Sequence, residues 1–251
     1  MRPLADLLAL ILLLAASLLA GSSAVAGTTT APDGTPVPFR ATYTTALNGM
    51  PLGIDLHLEL ASAGAGNWNL ALDASSLMMK YIESSQFRWE DCRAEPVKYR
   101  FEFRGFGVDR KLWLDFDHAK NVASGESRKG PVTFAFPPDV TDELGLSYAA
   151  RCQLLRGASE VTYNVATTNG MKSLTYRIDG HEVLKTPYGK LDTIRIVRVR
   201  KAGEKRRSII WVAPALGYVM VRMDHIEKLG VRGMATLKVL EGIQPAHGAT
   251  P

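Results

Sequence analysis

Cysteine is scarce in this chain. Its 251 residues hold two, Cys92 and Cys152, too few for a disulfide-rich scaffold or a cysteine-based zinc module. The five histidines include no pair at helical ligand spacing and no HExxH, so the common zinc-hydrolase signature is missing. No phosphate-binding GxxxxGK loop occurs. Gly64-Ala65-Gly66 and Gly105-Phe106-Gly107 lack the third glycine and following helix of a dinucleotide site. Gly125-Glu126-Ser127-Arg128-Lys129-Gly130 misses a nucleophile elbow, which needs glycine where Lys129 stands. Without a repeat of fixed period, solenoids and propellers are excluded. No cofactor, no metal and no catalytic residue is expected from these motifs.

What is present is ordinary globular composition, 46% hydrophobic and 22% charged, which excludes disorder, collagen and coiled coil. The only long apolar run is N-terminal. Arg2 precedes Leu7 to Ala20, and Ala24-Val25-Ala26 supplies the small-x-small pattern of a signal-peptidase site. Cleavage is expected between Ala26 and Gly27. The alternative is an uncleaved anchor, but the run falls short of the roughly 20 residues that span a bilayer. Position 22 is Ser rather than the Cys of a lipoprotein signal, so the expected product is periplasmic and unlipidated. Export places Cys92 and Cys152 where thiols oxidise. A disulfide between them is expected, the alternative being two separate buried thiols.

Gly27 to Pro38 reads as a flexible leader, residues 39–243 as a single β-rich domain and 244–251 as a tail. Ile54 to Leu60 and Val97 to Arg104 alternate strictly between apolar and polar residues, as do shorter stretches from Trp68, Val161, Leu174, Val219 and Ala235. This is the pattern of antiparallel strands with one wet face. Asn48-Gly49, Asn169-Gly170 and Asp179-Gly180 are turn dipeptides at strand spacing, and Ile196-Val197 breaks its alternation as a bulge would. Val140 to Arg156 instead carries apolar residues at helical spacing, with Asp139 or Thr141 as cap and Gly157 as terminator. The expected fold is therefore mainly β: a curved antiparallel sheet or open β-barrel of about ten to twelve strands with one packed helix.

Two features suggest binding. Arg195, Arg198, Arg200, Lys201, Lys205, Arg206 and Arg207 crowd into thirteen residues opposed only by Glu204. Such a basic hairpin tip would attract an anionic surface, or would simply be solvated and discourage edge pairing. For an exported protein, the expected partner is a lipid or anionic envelope component through peripheral membrane contact, with no nucleic acid. Trp113 falls in phase with Asp109, Lys111 and Asp115 on the wet face of its strand, where it would mark a ligand groove or lie under the helix or a loop. Trp68 and Phe101 are the other candidate groove aromatics. Asp115, Asp117 and His118 form the best metal-like cluster, though a solvated strand end running into a turn is the stronger reading.

Four motifs in order resemble those of a family of secreted bacterial proteins called domain of unknown function 3108. They are Tyr43 with Asn48-Gly49 and Gly53; Asp142 to Tyr148 followed by Leu155-Arg156; Glu182 to Gly189 with Thr193; and Trp211-Val212-Ala213-Pro214 followed by Tyr218 to Val221. The resemblance implies an exported, mainly β protein without an established activity, and it carries over no catalytic residues. The closing strand pair is also similar to the half-barrels that carry lipoproteins across the periplasm, a likeness of fold alone. The reading that follows is a non-enzymatic module holding a lipid or other apolar ligand in a concave sheet. An envelope interaction module and a hydrolase of envelope polymers are the alternatives.

Overall fold

The computed structural model describes residues 34–200 and 203–244. The expected signal segment with Ala26 and Gly27, and Lys201 of the basic run, lie outside them. Period-two sequence becomes strand wherever one face can be buried. The first eight strands are β1 (Phe39–Leu47), β2 (Met50–Gly64), β3 (Asn67–Ser76), β4 (Met79–Glu90), β5 (Arg93–Gly105), β6 (Val108–Asp117), β7 (Val122–Ser127) and β8 (Gly130–Ala135). A short β9 (Val140–Asp142) leads into helix α1 (Gly145–Leu155). Six more strands follow: β10 (Glu160–Thr167), β11 (Gly170–Lys185), β12 (Lys190–Arg198), β13 (Arg207–Ala213), β14 (Val219–Ile226) and β15 (Arg232–Glu241).

All fifteen join one open sheet in the order β8-β7-β6-β5-β4-β3-β2-β1-β15-β14-β13-β12-β11-β10-β9. Only the β9–β10 ladder is parallel. The buried face carries Tyr43, Leu56, Leu70, Tyr81, Phe87, Phe103, Leu114 and Leu237 at its centre. Edge strand β9 lies against β5, and β8 against β11, so the far ends of the sheet and α1 enclose that face.

The mainly β class with a single α-helix among the described residues holds, but fifteen strands replace the expected ten to twelve. Alternation is least legible where polar or small residues interrupt the buried row. β4 buries Glu83 and Ser85, and β7 buries Ala123 and Gly125. At Gly125 a Cβ would collide with the Trp113 carbonyl, so glycine is there for close strand approach rather than for a nucleophile elbow. Ser127 Oγ donates to the Gly130 carbonyl at 2.8 Å and belongs to the hairpin turn.

The helix is also shorter than its apolar spacing predicts. Val140, Thr141 and Asp142 pair with Asn164, Val165 and Ala166, because a ladder satisfies backbone groups that a buried first helical turn would leave open. The cap is Asp142, whose Oδ1 accepts the Leu144 and Gly145 N–H groups at 2.9 and 2.7 Å. Gly157, at φ +83°, ends α1 as expected. Asp179-Gly180 is not a turn. It is the bulge of β11, opposite an unbroken Ile196-Val197, so the irregularity sits on the partner strand.

Cys92 and Cys152 form a disulfide, with Cα atoms 5.4 Å apart, that ties α1 to the β4–β5 turn. Residues preceding β1 are packed too. Gly34 and Pro36 are buried, and the Val37 N–H donates to the Tyr148 hydroxyl at 3.3 Å. Among the described residues no helix is long and apolar enough to cross a membrane.

Candidate functional site

Helix α1 does not fill the space beneath it. A cavity of about 110 Å³ opens between Leu146, Tyr148 and Leu154 of the helix and the strands bearing Phe39, Leu58, Leu70, Ile196, Ile210, Val212 and Met220. Its wall is nearly all carbon. For comparison, an engineered apolar cavity of about 150 Å³ stays dry and accepts benzene. Arg151 is the one charged residue among the wall residues. Although only 5% exposed, it donates from Nε to the Gly217 carbonyl. Its guanidinium lies 5.5 Å from the Phe39 ring centroid and 5.1 Å from that of Tyr148, in cation–π range. Burial pulls the Arg151 pKa down, against the favourable influence of Tyr148 and Tyr43.

A second polar group lies in the core. Glu83 is fully buried and accepts hydrogen bonds from the Tyr81 and Tyr99 hydroxyls at 2.5 and 2.7 Å. Burial raises its pKa to about 8, more than the two tyrosine bonds lower it. Asp142 accepts from Ser85 Oγ at 2.5 Å as well as from the helix N-terminus. Burial lifts its pKa to about 6. These carboxyls brace β4, β5, β9 and α1 against one another, and neither lines the cavity. Sequence reading missed Glu83. The available signal was its phase, since it alternates with Tyr81, Ser85 and Phe87 onto the apolar face of β4.

The predicted groove aromatics do not meet. Phe101 is buried edge-on to Tyr81 at 5.3 Å. Trp68 is half-buried against the core. Trp113 is 36% exposed, with the Arg100 guanidinium 5.5 Å from its ring. None of the three lines the cavity, because alternation assigns a residue to a face without saying which part of that face stays unfilled.

The basic run is also less bare than its sequence. Arg195 pairs with Asp179 at 2.9 Å and Glu182 at 3.6 Å, Arg198 with Glu204, and Arg206 with Glu227 at 2.8 Å. Three of those four acids come from β11 and the β14–β15 turn. Arg200 donates to the Glu204 carbonyl at 2.9 Å. Lys205 and Arg207 are exposed. Arg177, Arg198, Arg200 and Arg207 still border a shallow outer groove floored by Val197 and Ile209. The Asp115, Asp117 and His118 cluster disperses. Asp115 pairs with Arg100 at 2.5 Å, Asp117 with Lys120, and His118 Nδ1 lies 3.0 Å from Glu95. Among the described residues no group of His, Cys, Asp and Glu could hold a metal ion.

Residues 69–238 match the model of a family described as protein of unknown function, DUF3108. The chain belongs to the DUF3108 family. Among solved structures, this DUF3108 chain is similar to a β-barrel-like protein of DUF1849 from Brucella abortus, with a TM-score of 0.55 and 8% identity over 82% of this chain and 97% of that one. A DUF1329 family protein from Desulfovibrio piger aligns with a TM-score of 0.30 and 11% identity, over 87% and 89% of the two chains. No curated protein matches in sequence.

The structure explains how the DUF3108 motifs work together. Trp211 donates from its indole to Glu182 at 2.6 Å and sits under Arg222 at 5.2 Å, so the closing motif locks onto the preceding one. Thr193 Oγ1 donates to the Glu182 carbonyl at 2.7 Å. Thr186 and Gly189 close the β11–β12 turn through a 2.9 Å backbone bond. Tyr43 and Asn48-Gly49 precede the matched span, yet Tyr43 is buried and donates to the Met220 carbonyl at 3.0 Å. The motif residues thus hold the sheet together.

Proposed function

We propose that this DUF3108 protein is an exported, non-enzymatic binding module that holds a lipid or other apolar ligand, taking a short apolar segment of it beneath α1. The observation carrying this reading is the cavity itself. An opening lined by Leu58, Leu70, Ile196, Ile210 and Val212 offers water almost no hydrogen-bond partner, so an alkyl segment displaces water there favourably. Arg151, fixed at the wall between two rings, gives the ligand a point of orientation. The signal sequence and the Cys92–Cys152 disulfide support export to an oxidising compartment. A hydrolase reading is left without its residues, because Asp115, Asp117 and His118 each serve a separate contact.

The test is native mass spectrometry of protein isolated from the cell envelope, followed by titration with a fluorescent undecanoate. A co-purifying lipid near one per chain and saturable undecanoate binding are expected. Filling the cavity with Ile210→Trp, or more mildly with Val212→Phe, should weaken binding about tenfold or more, the equivalent of roughly two buried methylenes. The far-UV spectrum should stay native. Undecanoate binding unchanged in both folded variants would overturn the proposal.

A further inference from the structure

In an up-and-down sheet, hairpin turns fall alternately on two rims. One rim carries the β12–β13, β14–β15, β1–β2, β3–β4 and β5–β6 turns in unbroken succession, since β13 pairs with β14, β15 with β1, β2 with β3 and β4 with β5. Direct contact confirms the succession at one point: the Asn48 N–H donates to the Arg232 carbonyl at 2.7 Å, joining two neighbouring turns. Each of these five turns exposes a large apolar side chain at its tip or its first flanking residue. They are Val199, Leu229, Met50, Leu77 with Met78, and Phe106. Among the described residues these six are two-thirds of the nine exposed large apolar side chains. The other three lie within strands, and none occupies a turn at the opposite rim. Chance scatter of single apolar residues is normal on a protein surface, but segregation to one edge is not.

Charge on the same rim has one available sign. Its acids Asp109, Glu204 and Glu227 are engaged by Arg104, Arg198 and Arg206. Lys205, Arg207 and Lys228 are exposed and make no ion pair among the described residues. Elsewhere on the outer face Arg40 stands directly across from Glu59, and Arg88 from Glu95, each in an ion pair. Arg207 stands across from Ile226. Apolar side chains along the rim, with free cations at two neighbouring turns, complement a bilayer whose headgroups are anionic and whose acyl boundary lies a few ångströms deeper.

We propose that this rim docks on an anionic phospholipid surface, its exposed apolar side chains dipping into the interface. The proposal does not depend on the cavity beneath α1, and the two can fail separately. The experiment is co-sedimentation of the full chain with vesicles of equal parts phosphatidylcholine and phosphatidylglycerol, compared with a Leu77→Ser/Met78→Ser/Leu229→Ser variant. The N-terminal segment is common to both, and the changed side chains are exposed, so folding should be unaffected. Partitioning should fall at least about tenfold in the variant and on pure phosphatidylcholine. In a second arm, an environment-sensitive fluorophore is attached at Leu229→Cys or at Val183→Cys, which is exposed outside the rim. Emission should shift to the blue on vesicle binding at the first site and not at the second. Equal partitioning of the triple variant, or equal shifts at both sites, would overturn the proposal. So would capture of the protein by anionic glycan but not by vesicles.

Discussion

Reduction of the Cys92–Cys152 bridge, or Cys152→Ser, is expected to lower the unfolding free energy by about 4 kcal/mol, the chain-entropy value for a loop of roughly sixty residues. Little else replaces the bridge locally. Arg156 pairs with Asp91 beside it at 2.6 Å, but both side chains are exposed, and solvent screening leaves such pairs little net effect on stability. The disulfide fixes the C-terminal part of α1 to the β4–β5 turn, and α1 forms one wall of the cavity. Loss of the bridge should therefore also weaken undecanoate binding at temperatures where the protein remains folded. Denaturant unfolding with and without reductant measures the first effect, with titration of the folded, reduced protein measuring the second. A stability loss under 1 kcal/mol would show that α1 is held by packing alone.

Raising the pH from 5 to 8 is expected to destabilise the protein, the reverse of the usual carboxylate behaviour. Glu83 has a folded pKa of about 8, well above the value near 4.3 of an unfolded glutamate. Its contribution is fully present below the unfolded pKa and is lost as the pH rises through about 8, because only the folded state keeps the proton in that window. Asp142 acts in the same direction up to about pH 6. Burial is the dominant cause for both. The Tyr81 and Tyr99 bonds favour ionised Glu83, while Glu143 and Asp142 oppose it. At the acid end Glu227, held low by Arg206, works the other way and loses its contribution as the pH falls through its depressed folded pKa. Buried His225, its pKa lowered mainly by desolvation, also favours higher pH below its unfolded value, but the larger Glu83 effect should leave the protein more stable at pH 5 than at pH 8.

Glu83→Gln should flatten the neutral limb and stabilise the protein at pH 8 by several kcal/mol, on the order of 3–5 at about 1.4 per pKa unit. A glutamine can still accept from one tyrosine and donate to the other. Thermal melts of both proteins from pH 4 to 9 test this. A wild-type profile flat between pH 5 and 8, or a glutamine variant less stable at pH 8, would refute it.

The local readings that held concern residues whose neighbours in sequence are also their neighbours in space. Ile54 to Leu60 and Val97 to Arg104 became β2 and β5, with Leu56, Leu58 and Leu60, and Tyr99, Phe101 and Phe103, buried as their phase requires. Asn48-Gly49 makes the β1–β2 turn with both residues at positive φ. Cys92 and Cys152 were legible as a pair because the chain holds no others. The readings that failed concern long-range pairing. Val140 to Asp142 carry a helical spacing but meet β10 and become strand. Glu83, which drew no reading from sequence, is buried between two tyrosines from β4 and β5.

By itself, the sequence determined the class of this protein, its family motifs, its paired cysteines and most of its strands. Alternation, turn chemistry and spacing are properties of a few consecutive residues, and backbone geometry converts them directly into strand and hairpin. Only the tertiary structure decided where empty apolar space remains, which cations Asp179, Glu182 and Glu227 neutralise, and which turns share a rim. Those depend on how separate strands are brought together, from Arg206 beside Glu227 to Asn48 beside Arg232, and no local period encodes such contacts.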